Sequence, residues 1–141
     1  MKVVLDTNIW VSAVIWGGVP DEIVQLAEQG RITIAMSQEL LDELEGTFNK
    51  TKLQPKLKAL GLTGSTVIAL IRSSVILYPI DELNVPELRD PDDTMVLATA
   101  IASQADAIIT GDMDLRVLAE YQGIKIMAAQ DFIQQYFDLG S

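Results

Sequence analysis

The sequence predicts an α/β fold on a parallel sheet, and three observations carry that expectation. Short, apolar, often β-branched runs alternate with helical patterns along the chain. The runs are continuously apolar rather than alternating, which is the pattern of strands buried on both faces. No internal repeat or low-complexity tract interrupts the order. Strands that alternate with helices form βαβ units, and these units cover a parallel sheet on both sides.

The elements follow in order. A first strand is expected over residues 2–6, followed by an apolar helical stretch containing Trp10, Val11, Val14, Ile15 and Trp16. A helix over 21–29 stops at Gly30, a residue suited to a C-terminal cap. After a strand at 32–36, Ser37 is placed to N-cap a helix with Leu40, Leu41, Leu44 and Phe48 on one face. Gly61 and Gly64 separate a helical pair at 52–60 and 65–73, and a strand at 75–78 follows. Residues 79–91 read as one long loop rather than a domain boundary. A helix at 92–104, a strand at 107–110, a helix at 113–122, a strand at 124–127 and a helix at 129–137 complete the series. The sheet then has about five strands, and residues 1–141 are expected to form one domain.

Composition narrows the chemistry. The chain of 141 residues has 20 Asp+Glu, 10 Lys+Arg, no His and no Cys. A His base, a thiolate nucleophile, a disulfide and a zinc finger are therefore excluded. A formal charge of −10 argues against a non-specific electrostatic coat on nucleic acid. The opening apolar run is too short for a signal peptide, and the longest apolar stretch, 96–110, contains Gln104 and Asp106. A cytoplasmic protein without a membrane span is expected.

In an open α/β sheet the ligand site lies beyond the carboxyl ends of the strands. Asp6 ends the first strand, and Asp112 follows the fourth inside Thr110-Gly111-Asp112-Met113-Asp114. Both also precede helices, so N-capping is an equal reading of each. Asp93 differs. On a helical wheel it falls on the buried face defined by Val96, Leu97, Ala100 and Ile101, where an unpaired carboxylate is costly. Asp90-Pro91-Asp92 reads as N-cap, N1 proline and acidic first turn, which leaves the inward aim of Asp93 unexplained.

Residues 87–114 hold seven acids against one base, Arg89. Two carboxylates about 4 Å apart repel by about 4 kcal/mol at an effective dielectric near 20, whereas a cap recovers about 1 kcal/mol. If Asp6, Asp93 and Asp112 converge, a divalent cation or a retained proton must balance them. Oxygen ligands without His or Cys favour Mg²⁺ or Mn²⁺. The Ser37 helix offers a fourth acid. Glu39 and Asp42 face away from its apolar stripe, while Glu43 and Glu45 flank it, and the wheel does not choose between these two.

At this point the residues resemble a PIN domain. Leu5-Asp6-Thr7-Asn8 resembles the family's opening motif, with Asp6 as metal ligand and Asn8 as support. The stretch from Ser37 to Leu44 resembles the second motif and selects Glu43. The stretch from Arg89 to Ala100 resembles the third and selects Asp93. The stretch from Ala107 to Leu115 resembles the fourth, with Asp112 and Asp114. The four motifs occur in order, and the tail from Gly123 to Phe137 fits the closing strand and helix.

The resemblance is to the VapC-like branch, whose members are toxins of toxin–antitoxin pairs. It implies a three-layer α/β/α sandwich, a cognate antitoxin, and hydrolysis of single-stranded or structured RNA by a water activated on Mg²⁺ or Mn²⁺. Asp6, Glu43, Asp93 and Asp112 would be catalytic and metal-holding, with Asn8, Thr110 and Asp114 in support. Members of this branch often carry Lys where Met113 stands, so one phosphate contact is missing here.

Lys50, Lys52, Lys56, Lys58 and Arg72 offer a patch for RNA phosphates, or else a solvated helix face. Trp10 and Trp16 suit base stacking or, as the first reading, core or dimer packing. The apolar first helix suits a homodimer surface or an antitoxin groove. Two rivals stand beside the ribonuclease. One is a catalytically inactive PIN-like module that binds a protein. The other is a haloacid-dehalogenase-like phosphatase, which needs a second Asp where Asn8 stands.

Overall fold

The computed structural model describes residues 1–137 of the chain. Its sheet has six strands in the order β3-β2-β1-β4-β6-β5. These are β1 (Lys2–Leu5), β2 (Thr33–Met36), β3 (Ile76–Leu77), β4 (Ala107–Ile109), β5 (Glu120–Tyr121) and β6 (Ile124–Met127). All neighbours pair in parallel except β5 with β6. β1 is central, with Val3 in register with both Ile34 and Ala107. The chain first winds outward through β2 and β3, then returns to place β4 on the other side of β1. The β1/β4 junction is therefore the topological switch point, where α/β sheets form their ligand crevice.

The helices are α1 (Thr7–Ile15), α2 (Gly18–Glu28), α3 (Gln38–Phe48), α4 (Gln54–Ala59), α5 (Gly64–Ser74), α6 (Pro91–Ser103), α7 (Met113–Arg116) and α8 (Ala129–Phe137). The arrangement is the expected three-layer α/β/α sandwich. Its strands β1, β2 and β4 are almost entirely buried, as their continuous apolarity requires. Trp10, Phe48, Leu97 and Phe132 fill the space between sheet and helices. Ser37 caps α3 through its side-chain oxygen, which accepts from the Leu40 N–H at 3.3 Å.

Three local expectations need correction. β3 is exposed, with Ile76 at 50% and Leu77 at 37%, because it is the outer strand of the sheet. The helix expected over 113–122 stops at Arg116. Gln122 (φ 50°) and Gly123 (φ 82°) form a tight turn there that folds β5 against β6, so Tyr121 pairs with Ile124. Hydrophobic periodicity could not reveal that turn. The helix expected over 52–60 is a 3₁₀ turn, Thr51–Leu53, followed by α4.

A carboxylate cleft at the switch point

Two strand ends bring the acids together. Asp6 lies one residue past β1, and its N–H donates to Ile109 O at 3.2 Å, prolonging the ladder toward β4. Thr110 prolongs β4 in the same way, donating its N–H to Met127 O at 2.9 Å. The buried Thr110 hydroxyl then joins the two strand ends. It donates to Asp6 Oδ2 and accepts from the Asp112 N–H at 2.9 Å. Thr110 thus makes strand-end hydrogen bonds that also orient the acidic turn.

Asp6 and Asp112 are caps as well as cleft residues. Asp6 Oδ1 accepts from the Ile9 N–H at 2.9 Å at the start of α1, and Asp112 Oδ1 accepts from the Asp114 N–H at 2.8 Å at the start of α7. The two readings of these residues are therefore compatible. For α6 the capping residue is Asp90, whose Oδ1 accepts from the Asp92 N–H at 2.9 Å. Asp93 is 5% exposed, and its Oδ2 has no hydrogen-bond partner among the described residues. The inward aim expected from the helical wheel is present, and capping does not account for it.

The acids meet in a cleft of about 200 Å³ lined by Asp6, Thr7, Asn8, Glu43, Thr47, Lys50, Asp90, Asp92, Asp93, Val96 and Asp112. Carboxylate oxygens of Asp93, Asp112 and Asp114 lie within 4.8 Å of one another. Asp114 also pairs with Arg89 at 3.4 Å across the rim. Glu43 is on the cleft wall and half-buried, whereas Glu45 is exposed and does not line the cleft. Thr7 donates its hydroxyl to Glu43 Oε2 at 3.0 Å. A buried link from Thr99 Oγ1 to Ser37 Oγ, 2.9 Å, ties the α3 and α6 backbones that carry Glu43 and Asp93. Sequence reasoning gave no role to Thr7, Thr99 or Ser37 at the site, since a hydroxyl's partner 36 or 62 residues away leaves no local signal.

Burial pushes the Asp93 carboxyl up to about 7, and the adjacent carboxyl of Asp112 and the charge of Asp90 raise it further. Burial also lifts Glu43 to about 7; the Thr7 hydroxyl opposes this, and the charges of Asp92 and Asp90 reinforce it. Asp6 is raised by burial, against hydrogen bonds from Thr110 and Ile9 that favour its charged form. Repelling carboxylates, oxygen-only donors and the unpartnered Asp93 Oδ2 all fit a hard divalent cation.

Among the basic residues expected to contact substrate, Lys50 is on the cleft wall, while Lys52 and Arg72 are exposed and do not line it. Trp10 is buried at 2% exposure, and Val11, Val14 and Ile15 pack against the core. The apolarity of α1 is thus largely explained inside the chain. Trp16 is 70% exposed.

Carboxylates thus ring the switch point of a mostly parallel α/β sheet. The chain belongs to the PIN domain family, whose model matches residues 2–114. Members of that family are usually nucleases, and PIN nucleases use divalent metals. The chain is 31% identical over 145 residues to an uncharacterized protein of Methanocaldococcus jannaschii, covering 96% of this chain and 92% of that protein. Its fold is similar to a chain in the crystal structure of VapBC2 from Rickettsia felis bound to a DNA fragment from their promoter. That match has a TM-score of 0.60 and 18% identity, over 89% of this chain and 97% of that one.

Proposed function

We propose that the chain is a single-domain, Mg²⁺- or Mn²⁺-dependent endoribonuclease and the toxin of a toxin–antitoxin pair. The observation that carries this reading is the convergence of Asp6, Glu43, Asp93 and Asp112 on one cleft, with Asp93 Oδ2 buried and unpartnered. Family membership supports the nuclease class. A cation held by these carboxylates would supply Lewis-acid activation of water and charge neutralisation at the phosphate.

The chain's own residues do the rest. Asp6, Glu43, Asp93 and Asp112 hold the cation, and Asp114 supports them from the α7 turn. Thr110 fixes Asp6 and the Asp112 backbone together, and Thr7 fixes Glu43. Asn8, an exposed amide on the cleft wall, and Lys50 orient the phosphate. No His is needed, because a water on a cation held by these carboxylates would be acidic enough to lose its proton near neutrality without a protein base.

A cognate antitoxin and a homodimer belong to the same reading. An apolar groove of about 250 Å³ between α1, α2 and α5, with Leu70 58% exposed at its edge, supports a protein partner. No helix among the described residues is long and apolar enough to cross a membrane, and the proposed location is the cytoplasm.

The test incubates mixed RNA with the protein and Mn²⁺, beside an EDTA control and an Asp6→Asn variant. Cleavage is expected only for the unaltered chain with metal. Cleavage that persists in EDTA would sink the metal mechanism, and absence of cleavage of any RNA would favour an inactive binding module.

A further inference from the structure

The charge of the chain is unevenly distributed. Residues 46–80 contain no Asp or Glu but hold Lys50, Lys52, Lys56, Lys58 and Arg72. With five of the ten bases there, the rest of the chain carries 20 acids against 5 bases. The basic segment begins in the cleft, since Lys50 lines its wall. It then runs through the Thr51–Leu53 turn into α4, whose Leu57 is buried and whose lysines are exposed. At its far end the Lys56 ammonium lies over the Trp16 ring, 4.6 Å from the centroid.

A second element covers the same span. α1 starts at Thr7 on the cleft wall and ends at the Trp16 cap. Gly17 (φ 76°) and Gly18 (φ 66°) reverse the chain at once, a turn that an L side chain resists at either position. The turn leaves the indole at an outer corner, 70% exposed, although Trp is usually well buried. Nine residues of helical rise separate Thr7 from Trp16, about 13 Å, or about four nucleotides of a stacked strand.

We propose that Trp16 and the lysines leading to it from the cleft form a docking platform for unpaired RNA, with a base stacked on the indole and phosphates set against Lys50, Lys52 and Lys56. This rests on the nuclease reading of the cleft. An exposed aromatic beside a row of cations is how proteins hold single strands, because every base has a stacking face and every nucleotide a phosphate. A duplex buries its base faces and cannot use the indole. The Lys56 contact fixes the ring and sets a cation beside the incoming strand. The platform would also let a chain of net charge −10 engage RNA, since five of its ten bases fall in residues 46–80, a segment that starts at the cleft wall with Lys50.

The experiment uses the full chain carrying Asp6→Asn with Mg²⁺, so that cleavage does not consume the probe. The probe is an oligouridylate of about eight nucleotides, with a duplex of the same length for comparison. Trp10 is buried, so a fluorescence change on binding reports Trp16. The single strand should quench the signal and the duplex should not. For the variants, affinity is read from the anisotropy of a dye-labelled probe: adding Trp16→Ala should weaken single-strand binding roughly 5- to 150-fold, and Trp16→Phe should recover most of it. Lys56→Gln should flatten the dependence of log K on log salt by about 0.7.

Unchanged affinity in Trp16→Ala overturns the platform. So does a Trp16→Ala variant that only changes oligomeric state on size exclusion, which would make the indole a contact between copies. A wild-type chain that cleaves RNA without Trp16-dependent binding fails this inference alone. A chain that binds through Trp16 but never cleaves fails the nuclease reading alone.

Discussion

Replacing Asp93 by Asn should stabilise the metal-free protein, against the usual outcome for a change at a buried residue. Carboxylate oxygens of Asp93, Asp112 and Asp114 lie within 4.8 Å of one another. At that distance two full charges repel by about 3.5 kcal/mol at an effective dielectric near 20. The relief is smaller than that figure for two reasons. The Asp93 carboxyl, raised to about 7, is already partly protonated at neutrality. Asp114 is 41% exposed, so water screens it. A net gain of about 1–2 kcal/mol remains. The Asn amide can also donate to a neighbouring carboxylate. With an unfolding entropy of about 0.3 kcal/mol/K for a domain this size, Tm should rise by about 3–7 °C. The assay is thermal unfolding in EDTA and again in excess Mg²⁺. The wild-type chain should gain stability from Mg²⁺ and the variant little. A lower Tm for Asp93→Asn in EDTA would refute the reasoning, because it would mean that the charged side chain supports the fold.

Asp90→Ala should act in the opposite direction, losing about 0.5–2 kcal/mol in urea unfolding, because Asp90 is the residue that caps α6. The pH dependence of the metal-free protein should also be reversed from that of an ordinary carboxylate protein. Asp93 and Glu43 bind protons more tightly folded than unfolded, so between about pH 4 and about pH 7 the native state holds more protons. Stability should fall as pH rises through that window and then level off, measured by melts in EDTA. A rise would contradict the assignment. Thr110→Val strands the Asp112 N–H and should cost about 1–3 kcal/mol together with most RNA cleavage at saturating Mg²⁺. Thr7→Val removes the hydrogen bond that favours ionised Glu43, so the pH at which cleavage sets in should move upward in a pH–rate profile.

The legible parts of the sequence were those set by local pattern. Strands β1, β2 and β4 announced themselves because burial on both faces demands unbroken apolarity. The placement of Asp93 followed from a helical wheel, since one buried face fixes every residue aligned with it. Glu43 was the limit of that method. Two residues flanking one stripe look alike until the partner across the cleft is known, and that partner is Thr7, from another helix. The β5–β6 turn was missed because it depends on two left-handed residues, Gln122 and Gly123, rather than on periodicity. The exposure of β3 depends on its place at the sheet edge, which the apolarity of Ile76 and Leu77 does not encode. The Trp16 corner was hidden for a related reason, since composition cannot tell an apolar helix that buries one tryptophan from one that also displays another.

Calorimetric titration of the full chain with Mn²⁺, at about pH 6 and about pH 8, beside Asp93→Asn, bears most directly on the cation site. Binding should be tighter at the higher pH and release protons, because the raised carboxyls must ionise to become ligands. Asp93→Asn should weaken it severely. Absence of binding, or binding that ignores both the pH and the loss of Asp93, would contradict a cation site in this cleft.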